Sequence, residues 1–299
     1  MLTNFEDLLQ KAKTVGTLTV SVAQAEDEEL LKAIKIAQDL GLIYPVLVGD
    51  KNKIEQIAKD VELKKFEIVN TNNDDEIALE AVKVVKSGNA QVLMKGLVNT
   101  SIFLRAVLNK EYGLRTGRLL SLLAVYELPG YHKLLYCTDS GVNVNPNIEQ
   151  KKDILTNALY AMQGIGFDCP KVAVLSSNEM VDPKIPSTVD AAQLVYMVKN
   201  NIIPNCIIEG PVAFDVAFDA HAAEHKGIDS KISSDVDLLV FPNIETGNVL
   251  GKSWLHFNKA KWAGIILGSS SPIILGSRSD TADVKLNSIA LACLSSKQI

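Results

Sequence analysis

The sequence predicts an α/β fold, and three observations carry that reading. Short apolar runs of strand character alternate with stretches of helical periodicity along the whole chain. A strand, a helix and a second strand close within the first 50 residues. Most of the strand-like runs are apolar on both faces, as parallel strands covered by helices are.

The opening unit sets the pattern. Residues 17–22 alternate as a strand, and residues 26–40 then place Leu30, Ala33, Ile34 and Ala37 on one helical face. Glu26, Asp27, Glu28 and Glu29 crowd the start of that helix, where its dipole favours anions. Gly41 follows as the stop, and residues 43–48 form a second strand ending at Gly49-Asp50. This βαβ unit implies parallel pairing with a right-handed crossover. Further strands are expected at 91–94, 134–137, 171–175, 206–208, 238–241 and 263–267, with helices near 75–86, 99–109, 147–163, 187–200, 211–223 and 280–296.

Composition narrows the class. At 299 residues the chain is long enough for about two domains. With 47% hydrophobic and 22% charged residues it is neither disordered nor of low complexity. A net charge of −5 leaves no electrostatic footprint for nucleic acid. The longest uncharged run, residues 262–277, holds 16 residues including Pro272 and several serines, too short and polar to span a membrane. MLTNFEDLLQ has neither a basic start nor an apolar core, so no secretory signal is expected and a cytoplasmic enzyme is. Cys137, Cys169, Cys206 and Cys293 lie at least 32 residues apart, which suits small buried hydrophobes and not a zinc or disulfide framework.

No linker cuts the chain. The least regular stretches are CTDSGVNVNPNIE at 137–149 and GSSSPIILGSRS at 268–279, and both are read as interdomain crossings. The expected division is a discontinuous first α/β domain of residues 1–138 plus 270–299 and a second of 139–269, with the active site in the cleft between them.

Three motifs tempt and are set aside. His221-Ala-Ala-Glu-His225 matches H-x-x-E-H, yet a zinc site needs a further ligand, usually a carboxylate, and no Glu follows Glu245, so two surface histidines at helical spacing are expected. Gly247 to Ser253 falls one residue short of a Walker A loop, though a turn at Gly247-Asn248 after Asn243 can still offer free N–H groups to an anion. Gly164-Ile-Gly166 lacks the third glycine of a dinucleotide fingerprint.

Two strand-to-helix turns carry chemistry. In Gly276-Ser277-Arg278-Ser279-Asp280-Thr281-Ala282-Asp283, Arg278 can pair bidentately with phosphate, Ser277 can donate to a substrate oxygen, and an Asp can act as base. The same residues also read as a helix start, with Asp280 as N-cap, Asp283 three residues on, and Arg278 neutralising both. Lys95-Gly96-Leu-Val-Asn99-Thr100-Ser101 is the second such turn, with Arg105 one turn into its helix; an N-cap at Asn99 or Thr100 and a solvated arginine explain it equally simply.

Taken together and in this order, VLMKGLVNTSIFLRAVL, CTDSGVNVNPN, IIEGPVAFDVAFD, VDLLVFPNIETGNVLGK and GIILGSSSPIILGSRSDTADVKLNSIALA resemble the landmarks of the phosphate acetyltransferase and phosphate butyryltransferase family. The resemblance runs from about residue 17 to the end, and LVFPNIETGN followed by GSR is its most specific part. Length and KGLVNTSIFLRAVLN look more like the butyryl branch, with the acetyl or a branched short-chain acyl branch as the alternative.

The resemblance implies two α/β domains with mainly parallel sheets, similar to the isocitrate/isopropylmalate dehydrogenase group, in a homodimer. It implies reversible conversion of acyl-CoA and orthophosphate to acyl phosphate and CoA, with CoA as substrate and no bound cofactor or metal. By it, Ser277, Arg278 and Arg105 are catalytic, and Asp283 or Asp280 is the base for the CoA thiol. Lys95, Gly96, Thr100, Asn243, Gly247 and Asn248 are the expected substrate-binding residues.

Overall fold

A computed structural model describes residues 2–276 and 280–296. In chain order the elements are α1 (Phe5–Lys13), β1 (Leu18–Ala23), α2 (Glu28–Asp39), β2 (Ile43–Gly49), α3 (Lys51–Asp60), β3 (Glu67–Asn70), α4 (Asp74–Lys86), β4 (Val92–Lys95) and α5 (Thr100–Val107). There follow β5 (Ser121–Glu127), β6 (Leu135–Thr138), α6 (Ile148–Ile165), β7 (Lys171–Leu175), α7 (Pro186–Lys199), β8 (Ile207–Val212), α8 (Phe214–Phe218) and α9 (Ala220–His225). The chain closes with β9 (Leu238–Val240), α10 (Ile244–Phe257), β10 (Lys261–Leu267), β11 (Ile273–Ile274) and α11 (Ala282–Ser295).

The chain packs as two compact units, one of residues 2–118 with 263–296 and the other of residues 119–262. These limits fall earlier than the expected crossings near 138 and 270. Two strands set these limits: β5 pairs antiparallel with β6, Ala124 opposite Cys137, and belongs to the second unit, while β10 pairs with β11, Ile266 opposite Ile273, and carries its residues from Ala263 onward into the first.

In the discontinuous unit the strand order is β3-β2-β1-β4-β11-β10. All neighbours are parallel except β10 and β11. The βαβ unit of residues 17–50 behaves as expected, whereas α1 before it was not anticipated: Asp27 caps α2 by accepting from the Leu30 N–H at 2.6 Å, and Gly41 leaves the helix at φ +75°. α11 returns to this unit and packs against α1 and α2. It is buried along almost its whole length, which explains why its apolar residues do not form a single stripe.

The second unit has the order β5-β6-β9-β7-β8, with β6, β9, β7 and β8 parallel. Its core joins Leu135, Cys137, Leu239 and Phe241 of the sheet to Val216, Ala217 and Trp254 of the covering helices. One expected helix is corrected here. Residues 211–223 do not form a single helix, because β8 runs through Val212 and Asp219 is extended, capping α9 through the His221 N–H at 2.9 Å. His221 and His225 are exposed on α9 with their rings stacked, as expected of surface histidines. Cys137, Cys206 and Cys293 are buried, whereas Cys169 is exposed.

Candidate active site

In the discontinuous unit, Ile273 and Ile274 of β11 run parallel to Leu93 and Met94 of β4. The turns that follow both strands therefore leave the sheet side by side at its carboxyl edge, where open α/β sheets bind ligands. A small recess lies between them, and its lining includes Asp27, Lys95, Gly96, Gly276 and Lys285. Ser277 and Arg278 lie outside the described residues, but Gly276, the residue before them, is on the recess wall.

Each member has a local cause. Gly96 has no room for a side chain, since a Cβ there would run into the Gln24 carbonyl oxygen at the end of β1. Lys95 is 7% exposed and donates to the Gly96 carbonyl at 3.0 Å, so its ammonium stays at the turn. Lys285, one turn into α11 and also 7% exposed, donates back to the Asp280 carbonyl oxygen. Two buried ammonium groups on one recess favour an anion, and Asp27 offsets them only in part because it also caps α2. Lys285 was not singled out from the sequence. The one available signal was a lysine within the apolar DVKLNSIALA run of α11.

The other expected residues of this unit stand apart from the recess lining. Asn99 caps α5 by accepting from the Ser101 N–H at 2.9 Å, and Thr100 is exposed as the first helical residue. Arg105 points to solvent, 68% exposed, and pairs with Asp75 at 3.3 Å. Asp280 does not cap α11, as one reading expected. Thr281 does, accepting from the Val284 N–H at 3.4 Å, because Thr281 and not Asp280 is the extended residue immediately before the helix. Asp283 is exposed in the first turn, and its carboxylate makes no hydrogen bond with the described residues.

In the second unit the CTDSGVNVNPN and PNIETGN segments meet. The buried Asp139 carboxylate gathers the backbone N–H groups of Gly141, Val142 and Asn143 at 2.9–3.1 Å and the Asn143 amide at 2.6 Å. Burial raises its pKa, against the lowering effect of those donors. Gly247 packs on this turn, for a Cβ there would stand 2.5 Å from the Phe241 ring and 2.7 Å from Ser140 Cβ.

The anion-binding turn expected at Gly247-Asn248 is therefore a correction. α10 begins at Ile244 with Asn243 as N-cap, so both residues lie inside the helix, where the Gly247 N–H is already directed at the Asn243 carbonyl at 3.4 Å. Asn248 is exposed, and Asn243 accepts from the Thr246 N–H at 3.0 Å. Among the thiols, burial pushes Cys206 and Cys293 each up to about 12, so neither is a ready thiolate near neutral pH.

Fold and recess together define an α/β enzyme with an anion-receptive site at the carboxyl edge of a parallel sheet. The comparisons with known proteins give the family. Residues 75–293 match the family described as phosphate acetyl/butaryl transferase. The phosphate butyryltransferase of Clostridium beijerinckii is 44% identical over 296 residues, covering 98% of both chains. The phosphate acetyltransferase of Rickettsia typhi is 40% identical, covering 97% of this chain and 84% of its own. A branched-chain phosphotransacylase from Enterococcus faecalis V583 superposes with a TM-score of 0.83 at 31% identity, covering 94% of this chain and all of its own. The chain belongs to the phosphate acetyl/butaryl transferase family and is an acyltransferase.

Proposed function

We propose that the protein interconverts butyryl-CoA plus orthophosphate with butyryl phosphate plus CoA. The observation that carries this is the pair of buried lysines, Lys95 and Lys285, lining the recess beside Gly276 in a chain 44% identical to a phosphate butyryltransferase. An alkyl thiol titrates above about 8, so a carboxylate base assists formation of the attacking thiolate. Asp283 is the proposed base, supported by an exposed carboxylate that makes no hydrogen bond with the described residues, with Asp280 as competitor. Attack on the acyl phosphate builds charge on the carbonyl oxygen. The Ser277 hydroxyl would stabilise it, and one such donor is typically worth about 3 kcal/mol. The departing phosphate would be received by Arg278 with Lys95 and Lys285, and Arg105 would attract it from the exposed rim.

CoA enters this scheme as substrate, and no resident cofactor or metal is required for direct exchange. No described helix is long and apolar enough to cross a membrane. Small-molecule work in the cytoplasm is part of the same proposal and follows from the substrates it assigns. By the family resemblance the working form is a homodimer, which light scattering on the purified chain would read directly. The deciding experiment measures CoA thiol released from butyryl-CoA with and without phosphate. Release that requires phosphate is expected, and none with acyl chains of two to five carbons would overturn the reading.

A further inference from the structure

Part of the recess lining has no role in holding phosphate. Beside Lys95 and Lys285 stand Leu30, Met94 and Leu97, apolar side chains that offer an anion nothing. Their placement follows from the sheet. Ser21 of β1 donates its hydroxyl to the Ala81 carbonyl of α4 at 2.9 Å, so α4 covers the face to which Ser21 points. Side chains alternate along a strand, and Val22 therefore points to the opposite face. Met94 of β4 is in register with Val22 and points there too. It lines the recess together with Leu30 of α2, each only 1% exposed. Leu97 is held at the recess by the turn after β4, whose Gly96 and Leu97 N–H groups donate to the Ala23 and Gln24 carbonyls at 2.8 and 3.0 Å.

We propose that Leu30, Met94 and Leu97 receive the end of the acyl chain and set the chain length that the enzyme accepts. This inference rests on the acyl-transfer reading and gives it a specificity. Butyryl phosphate is charged at one end and closes in a propyl group at the other. A recess that carries two ammonium groups and three apolar side chains complements both ends, which a site built for an anion alone does not.

The size of the recess sets the length. Its free volume is about 20 Å³, room for one or two methyl-sized groups. The bulkier phosphate stays at the mouth with the lysines, and the last carbons of the chain fill the space. Each methylene buried there strengthens binding roughly fourfold. An acetyl group stops two carbons short of butyryl and leaves the space empty. A hexanoyl group runs two carbons too far and meets Leu30 and Met94, whose buried side chains yield only at a cost.

The test measures phosphate-dependent thiol release from acetyl-, butyryl- and hexanoyl-CoA by the full-length protein. For the parent chain, kcat/KM should be at least about tenfold higher with butyryl-CoA than with either of the others. Leu97→Ala and Met94→Ala open the recess, and each should raise the hexanoyl-to-butyryl ratio of kcat/KM by about fivefold or more. Leu97→Phe fills it and should raise the acetyl-to-butyryl ratio by as much. The KM for orthophosphate should stay within about threefold throughout, which a general disturbance of the recess would not allow. Melting temperatures identify the folded variants, and Leu97 is the partly exposed position of the three. A parent without the butyryl preference, or folded variants that keep the parent's ratios, would overturn the assignment and leave acyl transfer standing. No phosphate-dependent release from any of the three substrates by the parent would instead overturn the acyl-transfer reading, and this inference with it.

Discussion

Ile274 of β11 lies in register with Met94 of β4, and this single pairing aligns the turn that leads into Ser277 with the turn that holds Lys95. Residues some 180 positions apart in sequence thus share one recess. Lys95→Met and Lys285→Met keep the apolar stem and remove the charge. Each should raise the KM for orthophosphate by about tenfold or more, while the KM for butyryl-CoA stays within about threefold. If neither KM moves and only the melting temperature falls, the two lysines are structural.

Arg105 presents the contrasting case, a cation held at the surface by Asp75. Such exposed pairs contribute little to stability, so Arg105→Ala should leave the unfolding free energy within about 0.5 kcal/mol of the parent. Its proposed contribution is to attract phosphate, and kcat/KM should fall by about tenfold at low salt and by less at high salt. A salt-independent kcat/KM equal to that of the parent chain would leave Arg105 as a solvated helix residue.

Gly247 is glycine because of what it touches. Gly247→Ala must push the new methyl against the Phe241 ring and Ser140. The expected cost is about 1–3 kcal/mol, visible in urea unfolding as a lower midpoint at unchanged slope. An unchanged midpoint would mean that the Asp139 turn yields more readily than its four hydrogen bonds imply.

The same glycine shows where sequence reasoning stops. Spacing made Gly247-Asn248 look like a phosphate turn, but the Asn243 cap starts the helix one turn earlier and spends the backbone donors. The fold itself was legible wherever an element buries a clear stripe or an apolar run, as in α2, β2 and β7. It was not legible in α3, which buries only Ile54 and Ala58, or in the four-residue edge strand β3, which buries none of its residues. β5 escaped because an apolar run such as SLLAVYE satisfies helix and strand alike, and only its pairing with β6 decides. Lys285 escaped because its value lies in a tertiary neighbour, the β4 turn, which no local pattern reveals.

At the other edge of the second unit, Lys133 is buried and pairs with both Asp235 and Asp237 at 2.6 Å. Although burial works the other way, hydrogen bonds from Lys133, Lys171 and His132 hold the Asp235 carboxyl well below the usual carboxylate range. Its contribution to stability is then complete above the unfolded value of about 3.9 and fades as the pH falls through the lower folded value. Thermal unfolding followed from pH 6 down to pH 2 should show a drop in melting temperature below about pH 4. Asp235→Asn should shrink that drop and lower the plateau above it. A variant whose acid limb matches the parent's would place the acid-sensitive group elsewhere.

The start of α11 separates the roles that its acidic residues can play. Thr281 is the N-cap, so Thr281→Ala should cost about 1 kcal/mol of stability with the chemistry otherwise intact. Asp283 sits in the first turn, where its charge meets the helix dipole, and Asp283→Asn should cost no more than a few tenths of a kcal/mol. If Asp283 is the base for the CoA thiol, that mutant nevertheless loses kcat by about 10²-fold or more. The loss should narrow as the pH rises toward the thiol pKa, since the thiolate then forms without help. Asp280→Asn is the control. The Asp280 carboxylate is near enough to Gly276 that a Cβ there would lie 3.3 Å from its Oδ2, so removing its charge from the recess wall should move the KM for phosphate more than kcat, while its main-chain carbonyl still receives Lys285. A kcat loss with the same pH rescue confined to Asp280→Asn would transfer the base to that residue. A kcat loss in neither would mean that the thiol reaches the carbonyl already ionised, held so by the cations of the recess.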